Sequence, residues 1–243
     1  MYNSKFILGT AQLNQKYGIS NFKNKINYKE TKKILSHLIQ NNYKYIDTAN
    51  NYNDADKILG KFDLGFSYFT KISPINNSII EPIENSLKSL NIKSLEGFFF
   101  HDLKLFLKSD VKKIYREIEY LKSENKLKSF GFSLYDPDDL QYIHEFQFDL
   151  LQIPINFADR RFCTNKLREY YKENNLKIFA RSIFLQGLLL MSVSKIPKYF
   201  DKWNSSFIEW FKFLKFHNID PILGFILFIK SLNFIDFEIS GIT

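Results

Sequence analysis

The chain has 243 residues, 45% hydrophobic and 25% charged, a balance that excludes disorder, collagen and an extended coiled coil. Its 34 Lys+Arg against 26 Asp+Glu give a net charge of +8, and its single cysteine, Cys163, excludes an internal disulfide. Composition at this length is compatible with one α/β barrel or with two small domains.

Taken in order, the sequence alternates β-rich runs with amphipathic stretches. A first strand is predicted over 6–9 and a helix over 28–41, where Ile34, Leu35, Leu38 and Ile39 recur on one face. Strands follow at 43–47 and 67–72, a helix at 79–90, a strand at 95–101, a helix at 111–124 and a strand at 127–133. Asp136-Pro137 reads as a cap followed by proline at the first helical position. Then come a strand at 150–153, a helix at 165–174, a strand at 177–180, a looser segment, helices around 207–216 and 221–231, and an eighth strand at 237–241.

Successive β-then-α units require a parallel sheet covered by helices, because each crossover returns over one face of the sheet. Eight strands in this length match a closed (β/α)8 TIM barrel, and no GxGxxG turn follows the first strand to support a Rossmann sheet. Without repeats or Gly/Ser linkers, residues 1–243 read as one domain.

The apolar run after Lys5 is shorter than the roughly 7 to 15 residues of a signal-peptide core. The stretch 221–229 stops at Lys230, well below the roughly 20 residues that span a bilayer. A cytoplasmic protein with no membrane partner is expected. Lysines between 104 and 128 are interleaved with Glu117, Glu119 and Glu124, as on a solvated helix face, and the 26 Phe, 14 Tyr and 2 Trp form no RNP, KH or zinc-finger signature. No nucleic-acid partner is expected, and no Cys/His spacing suits a metal.

Barrel chemistry gathers where strands end. That rule selects Asp47 and the nearby Tyr52 after the second strand, Lys71 closing the third and His101 closing the fourth. Each has a structural alternative, since Tyr52 and His101 could pack and Asp47 could cap a helix. Lys71 ends a strand of Phe and Tyr and needs a partner or a wet cavity.

Together these segments resemble the aldo-keto reductase family. The matching motifs are Leu8-Gly9-Thr10-Ala11, Ile46-Asp47-Thr48-Ala49 with Tyr52, Phe69-Thr70-Lys71, His101-Asp102 and Phe130-Gly131-Phe132-Ser133, followed by Leu151-Gln152-Ile153 and the segment 180–189. The resemblance implies hydride transfer between NADP(H), or NAD(H), and a small-molecule carbonyl substrate. It implies a catalytic tetrad of Tyr52 as proton donor, Lys71 as its charged neighbour, Asp47 holding Lys71, and His101 orienting the carbonyl.

Cofactor contacts implied in the same way are Gly9, Thr10, Asp47, Ser133, Gln152, Arg181, Ser182, Ile183, Leu185 and Gly187, with Ser133 and Gln152 on the nicotinamide carboxamide. Leu134 stands where many members have asparagine, and Arg181 stands near the place of an aromatic that stacks on nicotinamide. The family continues past the eighth strand into a loop and a last helix that hold the adenosine, so a barrel shortened at that point, with weak cofactor affinity, is expected. Two alternatives stay open: a non-catalytic nicotinamide-binding barrel and a degenerate member. The 181–189 segment resembles bacterial members of surface-sugar pathways, which suggests a sugar carbonyl, and the oligomeric state is open.

Overall fold

The computed structural model describes residues 5–13, 15–21 and 26–241. Eight parallel strands follow one another around a closed barrel: β1 (Lys5–Gly9), β2 (Tyr45–Asp47), β3 (Ser67–Ile72), β4 (Gly97–Phe100), β5 (Phe130–Ser133), β6 (Leu150–Pro154), β7 (Lys177–Arg181) and β8 (Phe237–Ser240). Closure comes from β8 pairing in parallel with β1, Ile7 opposite Ile239. At Gly131 the main chain of β6 comes so near that a Cβ would overlap the Leu150 carbonyl.

Helices cover the outside: α1 (Tyr28–Gln40), α2 (Ala55–Leu59), α3 (Ile80–Leu90), α4 (Leu103–Lys108), α5 (Val111–Ser123), α6 (Asn165–Glu173), α7 (Asn204–Phe216) and α8 (Pro221–Ser231). Five of them, α1, α4, α5, α6 and α8, start at a side-chain cap. Asn27 and Glu30 form a reciprocal capping box at α1, Asp110 caps α5, and Asp220 caps α8 with Pro221 at its first position.

The structure differs from the sequence expectation in a few places. The strands expected at 95–101 and 127–133 contract to β4 and β5, and their early pairing survives as an isolated parallel bridge between Leu95 and Leu127. The capped Asp136-Pro137 segment forms a 3₁₀ helix, Pro137–Tyr142. The looser stretch after β7 contains three 3₁₀ turns, Leu185–Leu190, Val193–Lys195 and Lys198–Trp203.

Inside the barrel, Ile7, Phe69, Phe99, Leu150, Phe179 and Ile239 form one buried cluster, with Tyr45 and Phe237 against it. Phe179 stacks on Phe237 at 4.4 Å, and Phe69 meets Phe179 edge-on at 4.9 Å. This aromatic plug fills the barrel, so a ligand must enter from the strand ends. A separate apolar cluster of Leu188, Leu189, Met191, Phe207 and Phe225 sits beneath the segment after β7, with Leu185 and Trp210 packed on it.

Candidate active site

Alternation along a strand brings every second side chain to the barrel interior. Two residues beyond the inward Tyr45, Phe69, Phe99, Leu150 and Phe179 stand Asp47, Lys71, His101, Gln152 and Arg181. The layer above the aromatic plug is therefore polar, and all five side chains line one cavity of about 130 Å³.

At its floor Lys71 and Asp47, 2% and 3% exposed, form an ion pair with Nζ 2.5 Å from Oδ2. Lys71 Nζ also donates to the Thr48 carbonyl at 3.2 Å. The second carboxylate oxygen of Asp47 accepts from Gln152 Nε2 at 2.8 Å, and its main-chain carbonyl accepts from Thr10 N and Oγ1, each at 3.0 Å. Burial alone would lower the pKa of Lys71, but the charge of Asp47, Tyr52 and the Asp47 hydrogen bond outweigh it and the net direction is upward. The ammonium stays charged at neutral pH.

Tyr52 stands in the turn between β2 and α2, where its N–H donates to the Ala49 carbonyl and its own carbonyl accepts from Ala55. Lys71 Nζ lies 5.3 Å from the centre of its ring, and the His101 ring meets it edge-on at 6.3 Å. Burial, joined by the positive charge of Lys71, brings His101 down to about 4. Its imidazole is neutral at neutral pH and offers one N–H donor and one acceptor. The structure thus brings Asp47, Tyr52, Lys71 and His101 into one cavity.

Of the residues expected to hold the cofactor, Gly9, Thr10, Ser133, Gln152, Arg181, Ser182, Ile183 and Gly187 line the same cavity. Leu185 lies apart. It packs on the apolar cluster under the loop and lines a second cavity of about 680 Å³ with Phe207 and Trp210. The backbone accounts for this, because Ser182, Leu185 and Gln186 all have positive φ and the chain reverses between them.

Gly187, at φ 86°, ends the reversal, and a Cβ there would overlap Ser20 Oγ. The Gln186 carbonyl accepts from Ile19 N at 2.9 Å and Ser20 N at 3.4 Å, which clasps the segment after β1 to the segment after β7 across the mouth.

Two buried polar atoms at the ends of β5 and β6 have no partner, Ser133 Oγ and Gln152 Oε1. Buried groups of this kind are normally satisfied. Because the nitrogen of Gln152 is committed to Asp47, its oxygen is left to accept. A carboxamide carries two N–H donors and one acceptor, so these residues fit the amide of a nicotinamide.

Sequence reasoning missed three residues. Tyr17 and Tyr135 line the cavity, and as two of 14 tyrosines in the sequence they carry no positional signal. Asp56 lies on α2 with its Oδ1 accepting from Thr48 Oγ1 at 2.6 Å, and burial pushes its pKa up to about 6 against that bond. Its one sequence signal is position, a helical turn after Tyr52. Among the described residues, no group of three or more His, Cys, Asp or Glu is placed to hold a metal ion, and no helix is long and apolar enough to cross a membrane.

A closed parallel barrel thus carries Asp47, Tyr52, Lys71 and His101 together at its mouth. The model of the aldo/keto reductase family matches residues 5–223, and the chain belongs to that family. Among solved structures, a glycerol dehydrogenase from Gluconobacter oxydans is 17% identical with a TM-score of 0.73, over 98% of this chain and 82% of that one. An aldo-keto reductase from Bacillus halodurans in holo form is 16% identical with a TM-score of 0.73, over 99% and 82%. An aldo-keto reductase from Klebsiella pneumoniae in complex with NADPH is 20% identical with a TM-score of 0.59, over 77% and 68%. At these identities the likeness is one of fold. A search of curated protein sequences returned no match.

Proposed function

We propose that the chain reduces an aldehyde or ketone at the expense of NADPH or NADH, with Tyr52 as the proton donor. The observation that carries this reading is the buried Lys71–Asp47 pair beside the Tyr52 ring, with a neutral His101 at the edge of that ring. When bound, the nicotinamide supplies the hydride that adds to the carbonyl carbon.

As that bond forms, the carbonyl electron pair moves onto oxygen, and Tyr52 Oη delivers its proton there. The charge left on the phenol is stabilised by Lys71, which Asp47 and the Thr48 carbonyl hold in place. His101, neutral, donates its N–H to the carbonyl oxygen and fixes its direction. Tyr52 regains a proton from solvent through the open mouth. Ser133 and Gln152 hold the carboxamide, while Gly9, Thr10, Ser182, Ile183 and Gly187 wall the cavity around it. Ligand set and partner are thus a nicotinamide dinucleotide and a small carbonyl compound, with sugar carbonyls among the candidates.

The test is to add NADPH and NADH separately with a panel of simple aldehydes and follow nicotinamide absorbance. Loss of absorbance that requires both protein and aldehyde is expected. A protein that binds neither cofactor by calorimetry, and oxidises neither with any aldehyde, would overturn the reading.

A further inference from the structure

Arg181 ends β7 with its side chain laid across the mouth. Its Nη2 donates to the Leu134 carbonyl at 2.9 Å, and Nη1 makes a long contact of 3.4 Å with Ser182 Oγ. The guanidinium lies 4.1 Å from the centre of the Tyr135 ring, and its buried Nε has no partner. Among the described residues no carboxylate pairs with it.

The charges of the cavity do not cancel. Lys71 is balanced by Asp47 and His101 is neutral, which leaves Arg181 as an uncompensated cation among the described residues of the cavity. Burial lowers its pKa, the signature of a charged group lacking its counter-ion. Its field acts on Tyr17, Lys71 and His101, and Tyr52 acts on it in return. Arg181 lines the same cavity as Tyr52 and His101. Tyr135 lies beside the guanidinium, and the contacts with Leu134 and Ser182 occupy one N–H of each terminal nitrogen, which leaves further N–H donors of the kind that form a fork on a two-oxygen anion.

We propose that Arg181 is an anion anchor, and that the substrate is a carbonyl compound carrying a carboxylate or phosphate close to its reactive carbon. This rests on the reductase reading above and narrows its substrate class.

The test uses aldehydes paired by charge, succinic semialdehyde against butanal and glyceraldehyde 3-phosphate against glyceraldehyde. Values of kcat/KM are measured for the wild type, Arg181→Met and Arg181→Lys, with the Kd of NADPH for each protein by calorimetry. The wild type is expected to prefer the charged member of at least one pair by about tenfold or more, as a charge-assisted fork provides. Whichever pair shows it separates carboxylate from phosphate. That ratio should fall towards unity in Arg181→Met and recover in part in Arg181→Lys, which keeps the charge without the fork and serves as the readout if the methionine variant does not fold.

Equal rates within both pairs in the wild type overturn the proposal, as does a preference that survives the loss of the guanidinium. A rise in the Kd of NADPH with parallel losses for charged and neutral aldehydes assigns Arg181 to the cofactor and also overturns it. If the wild type turns over none of the four aldehydes, neutral members included, the reductase reading fails and this inference with it.

Discussion

Lys71 and Gln152 divide one carboxylate between them, Lys71 taking Oδ2 of Asp47 and Gln152 taking Oδ1. The ammonium beside the Tyr52 ring and the amide of Gln152, the strand partner of Ser133, are thus oriented by a single side chain. Asp47 joins the side of the cavity proposed for proton transfer to the side proposed for the carboxamide.

Lys71→Met leaves the Asp47 charge buried with only neutral donors, at a cost of about 3 to 5 kcal/mol in folding stability. Adding Asp47→Asn removes the stranded charge and should restore most of that loss in a denaturant melt, without restoring turnover. A double variant no more stable than Lys71→Met would show that the pair is not energetically coupled.

Tyr52→Phe deletes a hydroxyl at the mouth while the ring keeps its packing. Turnover should fall by at least about 100-fold, the range for a positioned acid, with NADPH affinity and thermal stability retained. Wild-type rates in this variant would remove Tyr52 from the mechanism.

His101 is held at about 4 against a usual 6.5. Between those values the unfolded chain takes up a proton that the folded chain refuses, so this contribution to stability declines as pH falls from 6.5 through 4 and levels off below. His101→Gln abolishes that dependence. Melting curves of the two proteins from pH 7 to 4 should converge towards the acid end, and a constant gap would refute the buried neutral imidazole.

Asp56 runs the other way. Folded, it keeps its proton up to about 6, against 3.8 in the unfolded chain, so its contribution is present at low pH and lost as pH rises through that window. Asp56→Asn preserves an acceptor for Thr48 and carries no charge. Its stability relative to wild type should improve from pH 4 to 6 by at most about 3 kcal/mol; a pH-independent difference would place the carboxylate in water.

Gly187→Ala combines a strained φ with a clash at Ser20. A loss of about 1 to 3 kcal/mol is expected. Placing it in a Ser20→Gly background should relieve the clash alone and return part of the loss, measured by thermal melting.

The barrel was legible because each strand is a compact β-rich run, and three of the four catalytic candidates stand at or beside a strand's end. Asp47, Lys71 and His101 follow from that rule without any alignment. Helices α2 and α4, five and six residues long, are too short to display a 3.6-residue period, so Asp56 went unseen with α2. The direction of Leu185 was not legible either. Positive φ at Ser182, Leu185 and Gln186 has no compositional signal, since none of the three is glycine, and the reversal that seats Leu185 away from the mouth depends on it. Tyr17 and Tyr135 come from loops whose path is set by tertiary contacts.

The apolar cluster beneath the segment after β7 gives the chain a built-in optical probe. Both of its tryptophans belong to that corner, Trp203 ending a 3₁₀ turn and Trp210 of α7 lying 4.1 Å, centroid to centroid, from the ring of Phe157, and neither lines the cavity at the mouth. Leu185 shares the outer cavity with both, while its neighbours Ile183 and Gly187 wall the inner one. Selective excitation of tryptophan therefore watches the back of the same segment whose front lines the mouth cavity. A spectral shift on filling the mouth records movement of that segment between its two sides, with no label attached.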